Sequence, residues 1–531
     1  MKRLILSSLC LLILSPVFSQ GVWTWMGGSK YANDSGKYVG DSLWPKARNS
    51  SCLAGTEDGV YLFGGMTSSD KKWALMNDLW YWNGEEWHWL SGSDTSKNLG
   101  YFRGNNIPHA RMECACHYDT AVDEFFVFGG RSYVYSEDYS MPVSGLSNAL
   151  WKWNGKDWVL LRGDSTLNGR SRYSDSSGWK KTPPSMTGPI YWTNSEGQFN
   201  IYGGNVIDSS FKYPYFYTNE WWQYDSTGWH VKQAASNVYY YSSKAKYPKE
   251  KGVFTEGAHP GRRRSSATST NKSGDLFIYG GLAVIDAVGQ DLKRSDLWTT
   301  NGTDWAWLAG DTTFDKRSKY CTQNGNLKCH PGATWSAMAW VDQKDHFWMF
   351  SDDIEDSKYP SEFWKWDGSH WEMVNKDKWT YTKGVYGVMG QADTSNWPGA
   401  RRSAVTWKDK NGDMWMFGGI GYDSDGDWGY LNDLWKFSPD TTEEVSVAAN
   451  YAASQLQVYP NPARGMMTVQ LSSNTPHHLL SIVNTQGQVI WQQKVEQAST
   501  QIATHHWPSG LYILKCQTTD KVIEKKIIIR N

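Results

Sequence analysis

Residues 60–65, VYLFGG, and residues 77–89, NDLWYWNGEEWHW, carry the reading that decides the fold. The first is an apolar strand ending on two glycines. The second alternates about Trp80, breaks at Asn83-Gly84 and resumes at Trp87. An Asn-Gly pair between two aromatic runs is a hairpin turn. The same pattern returns along the chain. Glycine pairs follow apolar runs at Gly64/Gly65, Gly129/Gly130, Gly203/Gly204, Gly280/Gly281 and Gly418/Gly419, with Ser351 and Asp352 in their place in a sixth copy, FWMFSD. Downstream tryptophans stand at 80, 151, 222, 298, 364 and 435, at spacings of 71, 71, 76, 66 and 71 residues. Self-similarity at a fixed period is the mark of a repeat architecture.

Each copy opens upstream with a proline and a residue three later: Pro45/Arg48, Pro108/Arg111, Pro184/Thr187, Pro260/Arg263, Pro331/Thr334 and Pro398/Arg401. Seven residues beyond each of the first five repeat tryptophans lies another: Trp87, Trp158, Trp229, Trp305 and Trp371. One unit therefore reads as four strands. Arg, then the glycine pair, then two tryptophans seven residues apart resembles the kelch motif, one blade of a β-propeller of the galactose-oxidase type. The period is longer than the roughly 50 residues usual for that motif. The sixth unit lacks its last strand, and Val22-Trp23-Thr24-Trp25-Met26 matches the missing piece. The resemblance implies an all-β, six-bladed kelch propeller over residues 20–438, closed by the N-terminal strand. The excess length falls in the connections after the glycine pairs and between units. Both emerge on one face, where binding loops are expected.

Composition agrees. The 531 residues include 33 Trp, 30 Tyr and 50 Gly at only 40 % hydrophobic content, which suits many short strands and turns and excludes a disordered chain. Net charge is −1, so no global field favours nucleic acid. Residues 1–19 have a basic start, an apolar run and small residues at Val17 and Ser19, the form of a secretory signal peptide. No later segment is apolar for the roughly 18 residues of a membrane helix, so no transmembrane segment is expected.

Residues 439–454 read as a polar linker. From 455 the pattern changes to short alternating strands of a small C-terminal β-sandwich. Tyr459-Pro460-Asn461-Pro462, the Gly487 turn, Gly510 with Tyr512, and Lys525-Lys526 near the end resemble the C-terminal sorting domain of type IX secretion cargo. The resemblance implies residues 455–531 as an address for the type IX secretion machinery, and a protein secreted from, or displayed on, a Gram-negative cell.

Exported chains meet an oxidising compartment. Cys321 and Cys329 close a short loop and are expected to form a disulfide. Cys114 and Cys116 share one strand face, and read as buried thiols or a bridge to Cys52 rather than a metal site. Tryptophans in repeat positions are packing residues. Those outside them, Trp44, Trp73, Trp179, Trp397 and Trp428, are candidates for stacking on a ligand, with Tyr213, Tyr215 and Tyr217. Arg48, Arg111, Arg263 and Arg401, with the following Arg264 and Arg402, enter the innermost strands and are candidates for binding an anion around the central opening, or else for holding loop carbonyls of neighbouring blades. His109, His259 and His330 sit beside opening prolines. Asp423 to Asp427 offers a weak calcium pattern, and no other cofactor or metal is expected. A copper site of the galactose-oxidase kind needs a Tyr–Cys cross-link and two histidines that this sequence does not place. The function expected is recognition of an extracellular glycan or protein through the long-loop face. The alternative is a carbohydrate-active enzyme (oxidase, epimerase or hydrolase) using that face, with catalytic residues unknown.

Overall fold

The computed structural model describes residues 21–69, 72–95, 107–134, 143–163, 167–169, 181–207, 215–234, 244–284, 291–320, 329–352, 361–374, 383–439, 456–471, 478–484, 488–495, 499–517 and 522–529. The signal-like residues 1–19, residues 440–454 of the expected linker, Trp179, Tyr213, Cys321 and Gly487 lie outside them, whereas Pro439 ends the strand Trp428–Pro439. All regular structure among the described residues is β, and the pairings within the 71-residue units are antiparallel. The chain divides into two compact units, Met1–Pro439 and Asp440–Asn531.

In the first unit each repeat forms one sheet. Sheet 1 orders Cys52–Gly55, Val60–Ser69, Lys72–Trp82 and Trp87–Ser91. Sheets 2 to 5 repeat that order, opening with Ala115–Asp119, Ile190–Thr193, Ala267–Thr270 and Met338–Val341. Sheet 6 takes Val405–Lys408, Met414–Tyr422 and Trp428–Pro439 from the end of the unit and Gly21–Gly27 from its start, with Trp23 opposite Phe437. The first strands of successive sheets lie against one another from sheet 1 to sheet 6, and that of sheet 6 lies against that of sheet 1.

Local chemistry explains the hairpins. Asn83, Asn154 and Asn301 each accept two backbone N–H bonds from the residues two and three ahead, and Asp367 does the same. Such Asx turns fix the short connection between the third and fourth strands. Connections after the glycine pairs are in part short hairpins, such as Asn205–Ile207 with Tyr215–Tyr217 and Leu282–Val284 with Asp291–Lys293.

The tryptophan of each fourth strand locks one sheet to the one before it. Trp158 packs on Phe63, Trp229 on Phe128, Trp305 on Tyr202 and Trp371 on Tyr279, with ring centroids 5.0–5.4 Å apart. Trp23 meets Phe350 at 6.0 Å, and Trp87 meets Phe417 at 5.1 Å, which joins sheet 1 to sheet 6. Each partner is the aromatic that immediately precedes a glycine pair or its Ser351 counterpart. Such aromatic contacts each add about 0.5–1.5 kcal/mol beyond burial.

The glycine pair has its own reason. Gly280 and Gly281 adopt φ of 65° and 97°, and a Cβ on Gly280 would lie 2.6 Å from the carbonyl oxygen of Thr334 in the next sheet. Gly281 N–H donates to that carbonyl, as Gly204 does to Arg263, Gly130 to Met186 and Gly419 to Arg48. Met186 therefore occupies the arginine position of the third unit, not Thr187 as the Pro184/Thr187 spacing implies. The Asp352 position in sheet 5 needs no glycine, because Phe347–Asp352 continues as regular strand paired with Ser361–Trp366.

The second unit holds seven strands in one hydrogen-bonded order. Val489–Val495, His478–Val483, Gly510–Gln517 and Val522–Ile529 are antiparallel neighbours, as are Leu456–Arg464, Met466–Leu471 and Ser499–Ala503. A parallel bridge from Ala463 to Ile529 joins the two sets. They share a core that includes Met467, Val469, Leu480, Ile482, Leu514 and Ile527.

Candidate binding surface and central channel

The opening arginines build the floor of this region. Arg48, Arg263 and Arg401 are at most 1 % exposed, and each guanidinium makes two bonds to one carboxylate: Asp78 at 2.7 and 2.6 Å, Asp296 at 2.9 and 2.9 Å, Asp433 at 2.6 and 2.8 Å. Each also donates to the first glycine carbonyl of its sheet. A tyrosine hydroxyl from the preceding connection (Tyr38, Tyr247 or Tyr386) and the repeat tryptophan two residues beyond the carboxylate complete the set. Burial raises the Asp296 carboxyl, but Arg263 and the surrounding donors outweigh it and leave it below its ordinary value.

The exchange at this position is systematic. Where the arginine is absent, in sheets 3 and 5, the carboxylate is the longer Glu220 or Glu362. Glu362 accepts from Ser318, Tyr320 and Trp364. In sheet 2 the arginine remains but Ala149 stands at the carboxylate position, and among the described residues Arg111 donates to the carbonyls of His109 and Gly129. The four arginines expected around a central opening thus have their donors engaged by their own sheets. The carbonyls they hold belong to their own repeats and not to neighbouring ones, because each guanidinium reaches the first glycine of its own sheet, and a bidentate carboxylate is added in three.

Two residues after each arginine position the backbone turns left-handed: φ is 54° at Ser50, 51° at Glu113, 62° at Gly188, 53° at Ser265, 54° at Ser336 and 56° at Ser403. These six form a closed ring of backbone hydrogen bonds. Glu113 N–H donates to Ser50, Gly188 to Glu113, Ser265 to Gly188, Ser336 to Ser265, Ser403 to Ser336 and Ser50 to Ser403, at 2.7–3.1 Å. On one side of the ring a channel of about 550 Å³ runs along the first strands to the turns at Thr56-Glu57, Asn271-Lys272 and Lys408. Its wall is rich in hydroxyls, among them Ser51, Ser266, Thr268 and Thr406.

The residues that immediately precede the ring do not line that channel. Arg264 Nε donates to Tyr217 Oη at 2.8 Å, and its guanidinium faces Glu113 at 3.5 Å and Asp291 at 3.7 Å. Glu113 also accepts from Thr187 Oγ1 at 2.8 Å. Arg402 lies 4.9 Å from the ring centre of Trp335 and 5.7 Å from that of Trp428, which is 37 % exposed. The structure therefore brings Arg402 together with Trp428, and Arg264 with Tyr217. Trp335 and Glu113 were not singled out in the sequence. Their signal is position, immediately before and within the left-handed ring.

The remaining candidates are dispersed. Trp44 packs beside Trp82 and donates to Asn432 O; Trp397 is 4 % exposed against Trp23 and Phe350. Both are packing residues rather than exposed platforms. Trp73 lies in the strand Lys72–Trp82. Asp423 is buried and accepts N–H bonds from Ala32, Asp425, Gly426 and Asp427, so its carboxylate organises its own loop. His109 and His259 are held neutral, at about 4, chiefly by burial. His330 contacts the carbonyl of Pro331. Cys52 is bonded to Cys116, and Cys114 lies beside them as a free thiol. Cys329 is disulfide-bonded; Cys321, its expected partner, lies outside the described residues. In the second unit Tyr459, Pro460, Asn461 and Pro462 belong to the strand Leu456–Arg464, and Tyr512 donates to Pro508 O. Gly510 opens the strand Gly510–Gln517, while Lys525 and Lys526 lie in Val522–Ile529.

Residues 457–530 match the family described as the secretion system C-terminal sorting domain. The chain thus carries the signal for type IX secretion, to the cell surface or the extracellular space, as in Bacteroidetes-type bacteria. A solved structure described as "Structure of YjhT" is similar at 14 % identity and a TM-score of 0.42, over 74 % of this chain and 95 % of its own. No curated protein matches. No helix among the described residues is long and apolar enough to cross a membrane.

Proposed function

We propose that the first unit is a six-bladed β-propeller of the kelch type, and that the exported protein binds an extracellular ligand on the side of the ring that carries Arg264 and Arg402. The ring of six backbone hydrogen bonds supports the propeller reading. The binding reading rests on Arg402, whose partly exposed guanidinium lies over two tryptophan rings. Aromatic faces suit the apolar side of a sugar ring, and a guanidinium suits its carboxylate or sulfate. An acidic glycan satisfies both. A protein surface with an exposed carboxylate is the other occupant of the same chemistry.

The test is binding of the full exported chain to arrayed neutral and acidic glycans, with product analysis of each positive. Salt-sensitive binding of acidic glycans, lost in Arg402→Ala and Trp428→Ala and without turnover, supports the reading. Product formation moves the protein to the enzyme class. Silence across the array removes the glycan and leaves a protein ligand.

A further inference from the structure

The described residues bring Cys52, Cys114 and Cys116 together so that their three sulfur atoms lie within 4.8 Å of one another. All three side chains are buried. Cys52 and Cys116 form a disulfide between the first strands of sheets 1 and 2, and the free Cys114 Sγ lies 3.1 Å from Cys52 Sγ. The reason is register. Cys114 immediately precedes the strand Ala115–Asp119 and Cys116 lies two residues further on, so both present their sulfurs to Cys52 of the neighbouring strand. A single sulfur thus faces two partners, one bonded and one free.

A second observation sets Cys114 apart from an inert buried thiol. Arg111 is 1 % exposed and has no carboxylate partner among the described residues, because Ala149 takes the place that Asp78, Asp296 and Asp433 hold opposite the other arginines. Arg111 and Cys114 flank the same residue: a Cβ on Gly130 would lie 3.4 Å from Arg111 Cβ and 3.0 Å from Cys114 Cβ. A buried cation beside a thiol favours its thiolate, the nucleophile of disulfide exchange. Burial acts the other way and pushes the thiol up to about 12, with Arg111 opposing. The folded chain therefore holds Cys114 as a thiol and exchanges through a small thiolate fraction.

We propose that Cys52, Cys114 and Cys116 form a three-sulfur exchange centre in which Cys52 passes between Cys116 and Cys114. In the step, Cys114 gives up its proton and its thiolate attacks Cys52 Sγ. The Cys52–Cys116 bond breaks as the Cys52–Cys114 bond forms, and Cys116 leaves as a thiolate and takes up the proton. One disulfide and one thiol stand on each side, so no oxidant or reductant enters. Both products tie sheet 1 to sheet 2. The centre lets a chain that is oxidised during export correct that bond without outside help.

The experiment is non-reducing peptide mapping of the full exported chain, quenched in acid and read by electron-transfer fragmentation, which separates Cys114 from Cys116. In Cys116→Ser the bridge should move to Cys52–Cys114 in roughly half of the chains or more. Wild type held at alkaline pH should gain a Cys52–Cys114 isomer, while Cys114→Ser under the same conditions keeps Cys52–Cys116 alone. The wild-type arm decides even if Cys116→Ser fails to fold. Cys116→Ser with Cys52 and Cys114 both alkylatable, or wild type with one isomer throughout, overturns the proposal.

Discussion

The backbone N–H of Ser50 donates to the carbonyl of Ser403 at 3.0 Å, joining the first repeat to the last across nearly the whole unit. Both residues hold left-handed backbone, at φ of 54° and 56°. Left-handed backbone at a non-glycine residue costs of order 1 kcal/mol and is kept only where its surroundings require it. A β-branched residue cannot adopt it cheaply. Ser403→Val should lower unfolding free energy by about 1–3 kcal/mol, whereas Ser403→Gly should leave it nearly unchanged. Urea unfolding of both variants measures the difference.

The buried pairs predict a larger effect. Arg263 and Asp296 are both fully buried and joined by two hydrogen bonds. Removing one partner leaves an uncompensated charge, which costs about 3–5 kcal/mol. Arg263→Met and Asp296→Ala should each destabilise by that amount. The double variant should lose much less than the sum, as a double-mutant cycle would read. Additive losses would show that the two side chains act independently.

Sheet 2 offers the converse. Ala149→Asp places a carboxylate opposite Arg111 at the position that Asp78 holds opposite Arg48. The charge-assisted pair should raise stability by about 1–3 kcal/mol. The same variant gives Arg111 a stronger partner than Cys114 and should slow disulfide exchange there. Thermal unfolding at neutral pH reads the first effect and timed peptide mapping the second.

Two buried histidines and one half-buried one give a pH dependence with a definite sign. His109, His117 and His259 each sit at about 4 instead of 6.5, chiefly through burial. The unfolded chain takes up these protons near 6.5 and the folded chain only near 4. Their neutral forms thus favour the fold above pH 6.5, and that contribution falls away as pH drops from 6.5 to 4. Each contributes a slope of up to about 1.4 kcal/mol per pH unit within that window. His117→Gln, which retains a partner for Thr193, should remove one proton from the slope of denaturation midpoint against pH.

Much of the architecture was legible because the repeat is written in residues with one use each. A glycine pair after an aromatic marks left-handed backbone pressed against the next sheet, as Gly280 shows against Thr334. A tryptophan seven residues beyond another marks a fourth strand, and Trp23 at the start of the chain supplies the one missing from the sixth repeat. Asn83 and Asn301 were readable as turns because their side chains cap their own backbone. The sorting domain was readable because its short signature is local.

The candidate site was much less legible. Arg263 and Arg264 are neighbours of the same type, yet Arg263 is buried on Asp296 and Arg264 reaches Tyr217. Nothing in their order separates them, because the difference depends on which side of a left-handed residue each precedes and on a carboxylate 33 positions away. Trp335 and Trp428 meet over Arg402 only because two sheets bring distant segments together. The sequence by itself determined the strands, their turns, their repetition and the export signal, all of which depend on local backbone preference and apolar alternation. The tertiary structure alone decided which charges are buried in pairs, which remain at the surface and which sulfurs meet, since burial and proximity are properties of the packed sheets and not of any one segment.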